Sequence, residues 1–166
     1  MSLSRAYIGL GSNINRDRNI CSGIKDLKSL GSNISISNIY ESVAVGFKGD
    51  NFYNLVIGLD TEIPLNQFNS ILREIEDRHG RLRDVPNFSS RTLDLDLLIY
   101  NDLVRHDEEI DVPRAEILKY AFVLRPLAEI AADLEHPEIG VPISELWKSF
   151  NNDGQELWPV EIHLND

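Results

Sequence analysis

Two aspartates, Asp94 and Asp96, stand two residues apart in the apolar run SSRTLDLDLLIY, Ser89 to Tyr100. Alternate side chains of a β strand share a face, so both carboxylates would lie side by side. Like charges at that spacing repel unless water or a cation lies between them. One reading is a solvated strand face, because alternating polar residues mark any half-exposed strand. The other is a Mg²⁺ site, since a hard divalent cation takes a few carboxylates and leaves its other positions to water and phosphate oxygens. The neighbouring cations favour the second. Arg73 and Arg78 fall in a predicted helix, where Glu74, Glu76 and Asp77 offer ordinary surface partners. Arg81, Arg83 and Arg91 fall in the segment that leads from that helix to the aspartates. Loop arginines beside paired carboxylates suit phosphoryl transfer, in which metal bridges phosphate oxygens and planar guanidinium forks hold them.

The elements that must position these groups are legible from periodicity. AYIGLGSN reads as a short apolar strand entering a turn. Asn13 to Asp17 then offer caps for a helix with Ile20, Ile24 and Leu27 on its apolar side and Gly31 as its close. ISISNIYES alternates as one half-buried strand, and FYNLVIGLDT is another. Pro64 suits the first turn of a helix that buries Leu65, Phe68, Ile71, Leu72 and Ile75 and stops at Gly80. After the aspartate strand come an acidic connection, a helix starting near Pro126 with Leu127, Ile130 and Leu134, and a short helix near ISELWKSF. The order β-α-β-β-α-β, followed by helices, predicts an α+β fold of ferredoxin-like, split β-α-β type: a mostly antiparallel sheet with helices on one face.

Composition narrows the class. A chain of 166 residues suits one domain, expected over residues 5–166 behind a short polar lead, Met1 to Ser4. The single cysteine, Cys21, excludes a disulfide framework, and no apolar run reaches the ~18 residues of a membrane span. With no charged-then-apolar leader, a cytoplasmic protein is expected. The net charge of −11 argues against a nucleic-acid or membrane surface, while leaving room for a small anion in a local basic pocket.

Taken in order, AYIGLGSN, FYN, GRLR, RTLDLDLLIY, VP and AFVLRPLAEIA resemble the 6-hydroxymethyl-7,8-dihydropterin pyrophosphokinase family of folate biosynthesis, across nearly the whole chain. The resemblance implies transfer of the β,γ-pyrophosphoryl group of Mg-ATP to the hydroxymethyl oxygen of a reduced pterin, with release of AMP. It implies two Mg²⁺ ions on Asp94 and Asp96, and Arg81 and Arg91 acting on the phosphates. ATP contacts are implied at Arg73, Glu76, Arg83, Leu97, Arg114 and Tyr120. Pterin contacts are implied at Ser42, Val43, Val45, Gly46, Phe52, Asn54, Phe88 and Phe122. Here Phe52 and Phe122 sandwich the ring, and Asn54 bonds its edge. The expected partners are ATP and a reduced hydroxymethyl-pterin, with no nucleic acid or membrane, and a monomer in preference to an oligomer.

This chain departs from the family pattern at several places. SVAVG, Ser42 to Gly46, lacks the usual proline of the pterin loop. NFSSR stands where a basic residue and Gly-Pro-Arg are usual, and Arg114 and Tyr120 hold the places of a histidine and an arginine. A divergent paralogue acting on another pterin, or a non-catalytic Mg-nucleotide and pterin binder, is the alternative reading. A ferredoxin-like nucleic-acid binder is disfavoured by the acidic balance. His79, His106, His136 and His163 make no catalytic or metal constellation and read as structural. The loops SVAVGFKGDN and GRLRDVPNFSS exceed ordinary connections, and the second is expected to close over the filled site.

Overall fold

A computed structural model describes residues 2–44, 49–80 and 92–162. The strands are β1 (Ser4–Ser12), β2 (Ser32–Ile36), β3 (Ile39–Ser42), β4 (Phe52–Thr61), β5 (Asp94–Tyr100), β6 (Arg105–His106), β7 (Asp111–Val112) and β8 (Leu157–Val160). The helices are α1 (Arg16–Lys28), α2 (Leu65–Arg78), α3 (Glu116–Lys119), α4 (Ala121–Ile130) and α5 (Ile143–Lys148). The main sheet runs β5-β1-β4-β3-β8, with β2 also on β4, and β6 and β7 form a separate ribbon. Every pairing in the main sheet is antiparallel. It follows that β1 and β2, joined by α1, run parallel with β4 between them, and that β4 and β5, joined by α2, run parallel with β1 between them. That is the ferredoxin-like split β-α-β arrangement the element order predicts.

Helices cover both faces of this sheet, not the one face expected. On the first face Ala6, Ile8 and Leu10 of β1 pack with Ile20, Ile24 and Leu27 of α1 and with Phe68, Leu72 and Ile75 of α2. On the second, Tyr7, Val56, Leu98 and Ile99 pack against Val123, Leu124 and Leu127 of α4 and Ile143 of α5. Strands apolar on both sides need cover on both sides, and each fully buried aliphatic chain contributes about 1.5–3 kcal/mol. A bulge contributes to the second face. The β1–β5 register jumps between Tyr7↔Ile99 and Ile8↔Leu97, so Leu98 is an extra residue and falls with Ile99 in the second cluster.

Four further expectations are corrected. ISISNIYES is two strands, because the Ser37 hydroxyl accepts from Val56 N at 2.9 Å and donates to Asn38 O, while Asn38 N donates to Glu129 of α4. Side-chain bonds of this kind replace the ladder locally. The helix placed near Pro126 begins at Ala121, with Pro126 inside it and Leu134 beyond its end. Pro126 forgoes one backbone bond, which the buried face of Ala121, Val123, Leu124, Leu127 and Ala128 outweighs. Helix α1 ends at Lys28 with Ser29 as its cap. Gly31 serves another purpose: a Cβ there would stand 2.0 Å from Asp60 O. Gly80 follows α2 with φ of 80°, as its role as a stop requires. Ser4, assigned to the polar lead, pairs with Thr61. Strand β8 was not foreseen, and its Pro159 is tolerated because β8 is an edge strand.

Candidate active site

Asp94 and Asp96 project from β5 onto the second face of the sheet, beyond the part that α4 covers. Across the sheet Asp94 stands opposite Gly11 and Gly11 opposite Asn54, while Asp96 stands opposite Gly9 and Gly9 opposite Val56. The two glycines leave this stretch of floor without side chains. A Cβ at Gly11 would lie 3.1 Å from Asn54 Oδ1, 3.8 Å from Phe52 Cδ1 and 3.9 Å from Asp94 Cβ, so these three side chains flank one bare strip. Asp94 and Asn54 sit two strand spacings apart, about 10 Å.

On the β5 side the aspartates line a cavity of about 270 Å³ with Arg73, Glu76, Leu97 and Arg114. The ribbon residues Asp107 to Val112 form its outer rim. Glu76 is only 4% exposed, and its Oε2 accepts from Leu95 N at 2.8 Å. β5 is an edge strand, so α2 supplies an acceptor to the backbone between the two aspartates where no strand does. Arg114 docks on the same strand, with its N–H donating to Leu98 O at 3.0 Å. Its Nη1 lies 3.9 Å from Asp96 Oδ1 and its Nε donates to Glu116. Burial, then the neighbouring Asp94 carboxylate, push the Asp96 carboxyl well above the ordinary carboxylate range against the pull of Arg114; Glu76 and Glu116 add to the rise.

Beyond the glycine strip lies a second cavity of about 390 Å³, lined by Ser42, Val43, Phe122, Gln155 and Leu157 among others. Asn54, 6% exposed, donates from Nδ2 to Ser42 Oγ at 2.8 Å. Phe52 stands opposite Ser42 in the β3–β4 register. Tyr120 stacks on Phe122 with ring centroids 5.1 Å apart and planes inclined by 23°. Tyr120 thus stands beside an expected pterin contact and is not among the residues lining the acidic cavity.

The structure brings Arg73, Glu76, Asp94, Asp96, Leu97 and Arg114 together in one cavity, and Ser42, Val43 and Phe122 in the other. Val45, Gly46, Arg81, Arg83, Phe88, Arg91 and His163 lie outside the described residues, as does most of the second loop expected to close. Sequence reasoning missed the part played by Gly9 and Gly11, although glycines at i and i+2 of a strand signal one bare face. It also missed the wall supplied by residues 154–157, for which no local signal exists. Among the described residues no group of three or more His, Cys, Asp or Glu is set to hold a metal ion. His79 bonds Ile75 O and Ser22 Oγ, His106 lies between Asp111 and Glu138, and His136 Nδ1 accepts from Glu138 N, all structural roles. No helix among the described residues is long and apolar enough to cross a membrane.

Residues 7–132 match the family model described as 7,8-dihydro-6-hydroxymethylpterin-pyrophosphokinase. A 2-amino-4-hydroxy-6-hydroxymethyldihydropteridine pyrophosphokinase of Haemophilus influenzae is 33% identical over 149 residues, which are 87% of this chain and 92% of that protein. One from Pseudomonas aeruginosa is 32% identical over 161 residues, 95% of this chain and 98% of that one. The folic acid synthesis protein fol1 of Pneumocystis carinii is 33% identical over 145 residues, 86% of this chain, but the chain spans only 20% of it. Among solved structures, the Plasmodium falciparum HPPK-DHPS with SDX-DHP superposes with a TM-score of 0.67 at 15% identity, over 89% of this chain and 44% of that one. At that identity the likeness bears on fold alone.

Proposed function

Because the chain belongs to the 7,8-dihydro-6-hydroxymethylpterin-pyrophosphokinase family, we propose that it transfers pyrophosphate from Mg-ATP to 6-hydroxymethyl-7,8-dihydropterin in folate biosynthesis. The hydroxymethyl oxygen attacks the β-phosphorus, the bond from that phosphorus to the α,β-bridging oxygen breaks, AMP leaves, and the hydroxyl proton is lost. The observation that carries this reading is the row Asp94–Gly11–Asn54, which sets one of the paired carboxylates and a buried carboxamide on one face with a glycine between them in the register.

The acidic cavity fits Mg²⁺. Asp94 and Asp96 offer two hard oxygen donors on one face of β5, both lining this cavity. Asp94 and Asp96 would hold Mg²⁺, which would supply positive charge against the triphosphate as the bond breaks. Two ions are proposed, on the family resemblance. Arg73 and Arg114 serve the nucleotide, and Arg81 and Arg91 act on its phosphates. Phe52 and Phe122 cover the pterin ring while Asn54 holds its polar edge, which orients the hydroxymethyl arm across Gly11 toward the phosphates.

AMP formation from Mg-ATP, measured with and without added hydroxymethyl-dihydropterin, tests the proposal. Pterin-dependent AMP release is the expected result. Binding of both ligands with no AMP would make the chain a non-catalytic binder, and no binding of either would overturn the reading.

A further inference from the structure

Helix α4 begins with an amide that its own sequence leaves uncapped. Its N-cap residue, Tyr120, has an extended backbone and supplies no side-chain bond. The first amide, Ala121 N–H, donates instead to Gln155 Oε1 at 2.8 Å, from a residue 34 positions downstream. The other end of the same carboxamide, Gln155 Nε2, donates to Lys119 O at 3.1 Å. One side chain thus grips the backbone on both sides of Tyr120, immediately before Phe122. Two residues on, Leu157 opens β8 opposite Ser42, the residue to which Asn54 donates. The segment 154–157 therefore connects the helix side of the second cavity, Phe122, with its sheet side, Ser42, on which Asn54 is bonded, and it forms part of the cavity wall.

We infer that Gln155 is a positioning residue for the pterin: its two-ended bond to Lys119 and Ala121 sets the distance between the Phe122 ring and the Asn54 edge. This rests on the pyrophosphokinase reading. A polar side chain suits the task because the start of a helix offers unpaired N–H groups and the preceding turn an unpaired carbonyl, and a carboxamide satisfies one of each. The acidic cavity contains no residue of this segment, so the nucleotide side should not sense the change.

Two variants of the full chain test it, Gln155→Leu, which removes both bonds at similar size, and Gln155→Glu, which keeps the acceptor for Ala121. In Gln155→Leu the Ala121 amide should exchange faster with deuterium while amides of the β3–β8 ladder keep their protection. The Kd for 6-hydroxymethyl-7,8-dihydropterin should rise roughly fivefold, the factor that about one net hydrogen bond provides, with the Kd for an unreactive ATP analogue unchanged. Gln155→Glu should recover most of the pterin affinity. Unchanged Ala121 exchange would remove the clamp. Unchanged pterin affinity, or pterin and nucleotide affinity falling together in both variants, would remove its positioning role. Failure of the wild-type chain to bind the pterin would instead sink the pyrophosphokinase reading and the pterin role with it, while the Ala121 exchange would still decide whether the clamp exists.

Discussion

A carboxylate whose nearest neighbour across one intervening residue is another carboxylate carries a repulsion that a bound cation would relieve. Replacing Asp96 by Asn keeps the shape and removes the repulsion, so Asp96→Asn should lose pterin-dependent AMP formation by two orders of magnitude or more, taken as roughly the worth of one transition-state charge contact. Its thermal midpoint without Mg²⁺ should be equal to or above that of the wild type. Near-normal turnover in Asp96→Asn would remove the aspartate from the metal site. A different residue sets a pH dependence. His106 holds Asp111 Oδ1 at 2.5 Å on Nδ1 and Glu138 Oε1 at 2.6 Å on Nε2, and these hydrogen bonds raise its pKa, Asp111 first. A base raised in the folded chain adds stability that is fully present below its unfolded pKa and is lost as pH rises through the folded one. Thermal midpoints of the wild type should therefore fall across and just above the ordinary imidazole range, and His106→Gln should show a flatter profile there. Parallel profiles would show that the clasp between the β6–β7 ribbon and the turn at Glu138 adds nothing.

Element by element, the site depends on an edge strand held in place from outside the sheet. β5 has β1 on one side only, and Glu76 of α2 supplies the missing acceptor to Leu95 N. Glu76→Ala would leave that buried amide without its acceptor at a cost of about 1–3 kcal/mol, and Glu76→Gln, which retains a carbonyl oxygen, should recover most of it. Chemical denaturation of both variants checks the order, and equal losses would mean that charge rather than the backbone bond matters. The bare strip on β1 makes a second demand. A methyl at Gly11 must push Asn54 Oδ1 back from 3.1 Å, whereas one at Gly9 meets Leu98 at an ordinary 3.5 Å. Gly11→Ala should raise the pterin Kd several-fold, a shift of roughly 1 kcal/mol, and Gly9→Ala should change it less. Titration of the pterin into each variant decides between them.

Over the whole molecule the two helical layers divide the work. The α1–α2 layer on the first face buries the larger cluster, and the α4–α5 layer packs on Tyr7, Val56, Leu98 and Ile99 of the second face, leaving Asp94 and Asp96 to line one cavity and Ser42 and Phe122 the other. A ligand that fills these cavities binds the folded chain and not the unfolded one. Mg-ATP at a hundred times its Kd should then stabilise the chain by about 2.7 kcal/mol, and a chelator should abolish the gain. Differential scanning fluorimetry with Mg-ATP, and with ATP plus chelator, measures both. An equal shift with and without free Mg²⁺ would place nucleotide binding outside the aspartate pocket.

Local chemistry by itself determined a good deal of this protein. A period of two places Asp94 and Asp96 on one face whatever the sheet does around them, and the periods of FYNLVIGLDT and of Leu65 to Ile75 made β4 and α2 readable to within a residue or two. The order of those elements was enough for the split β-α-β arrangement. Other features exist only once distant segments meet. The extra residue at Leu98 is defined by its register against β1, and the break between β2 and β3 by Val56 and Glu129. The second helical layer follows from which strands became central, and the hold of Gln155 on Ala121 spans 34 residues. Periodicity records the face a residue shows to its own element. Which element covers that face depends on pairing and register between segments far apart in the chain, and only the tertiary structure contains that.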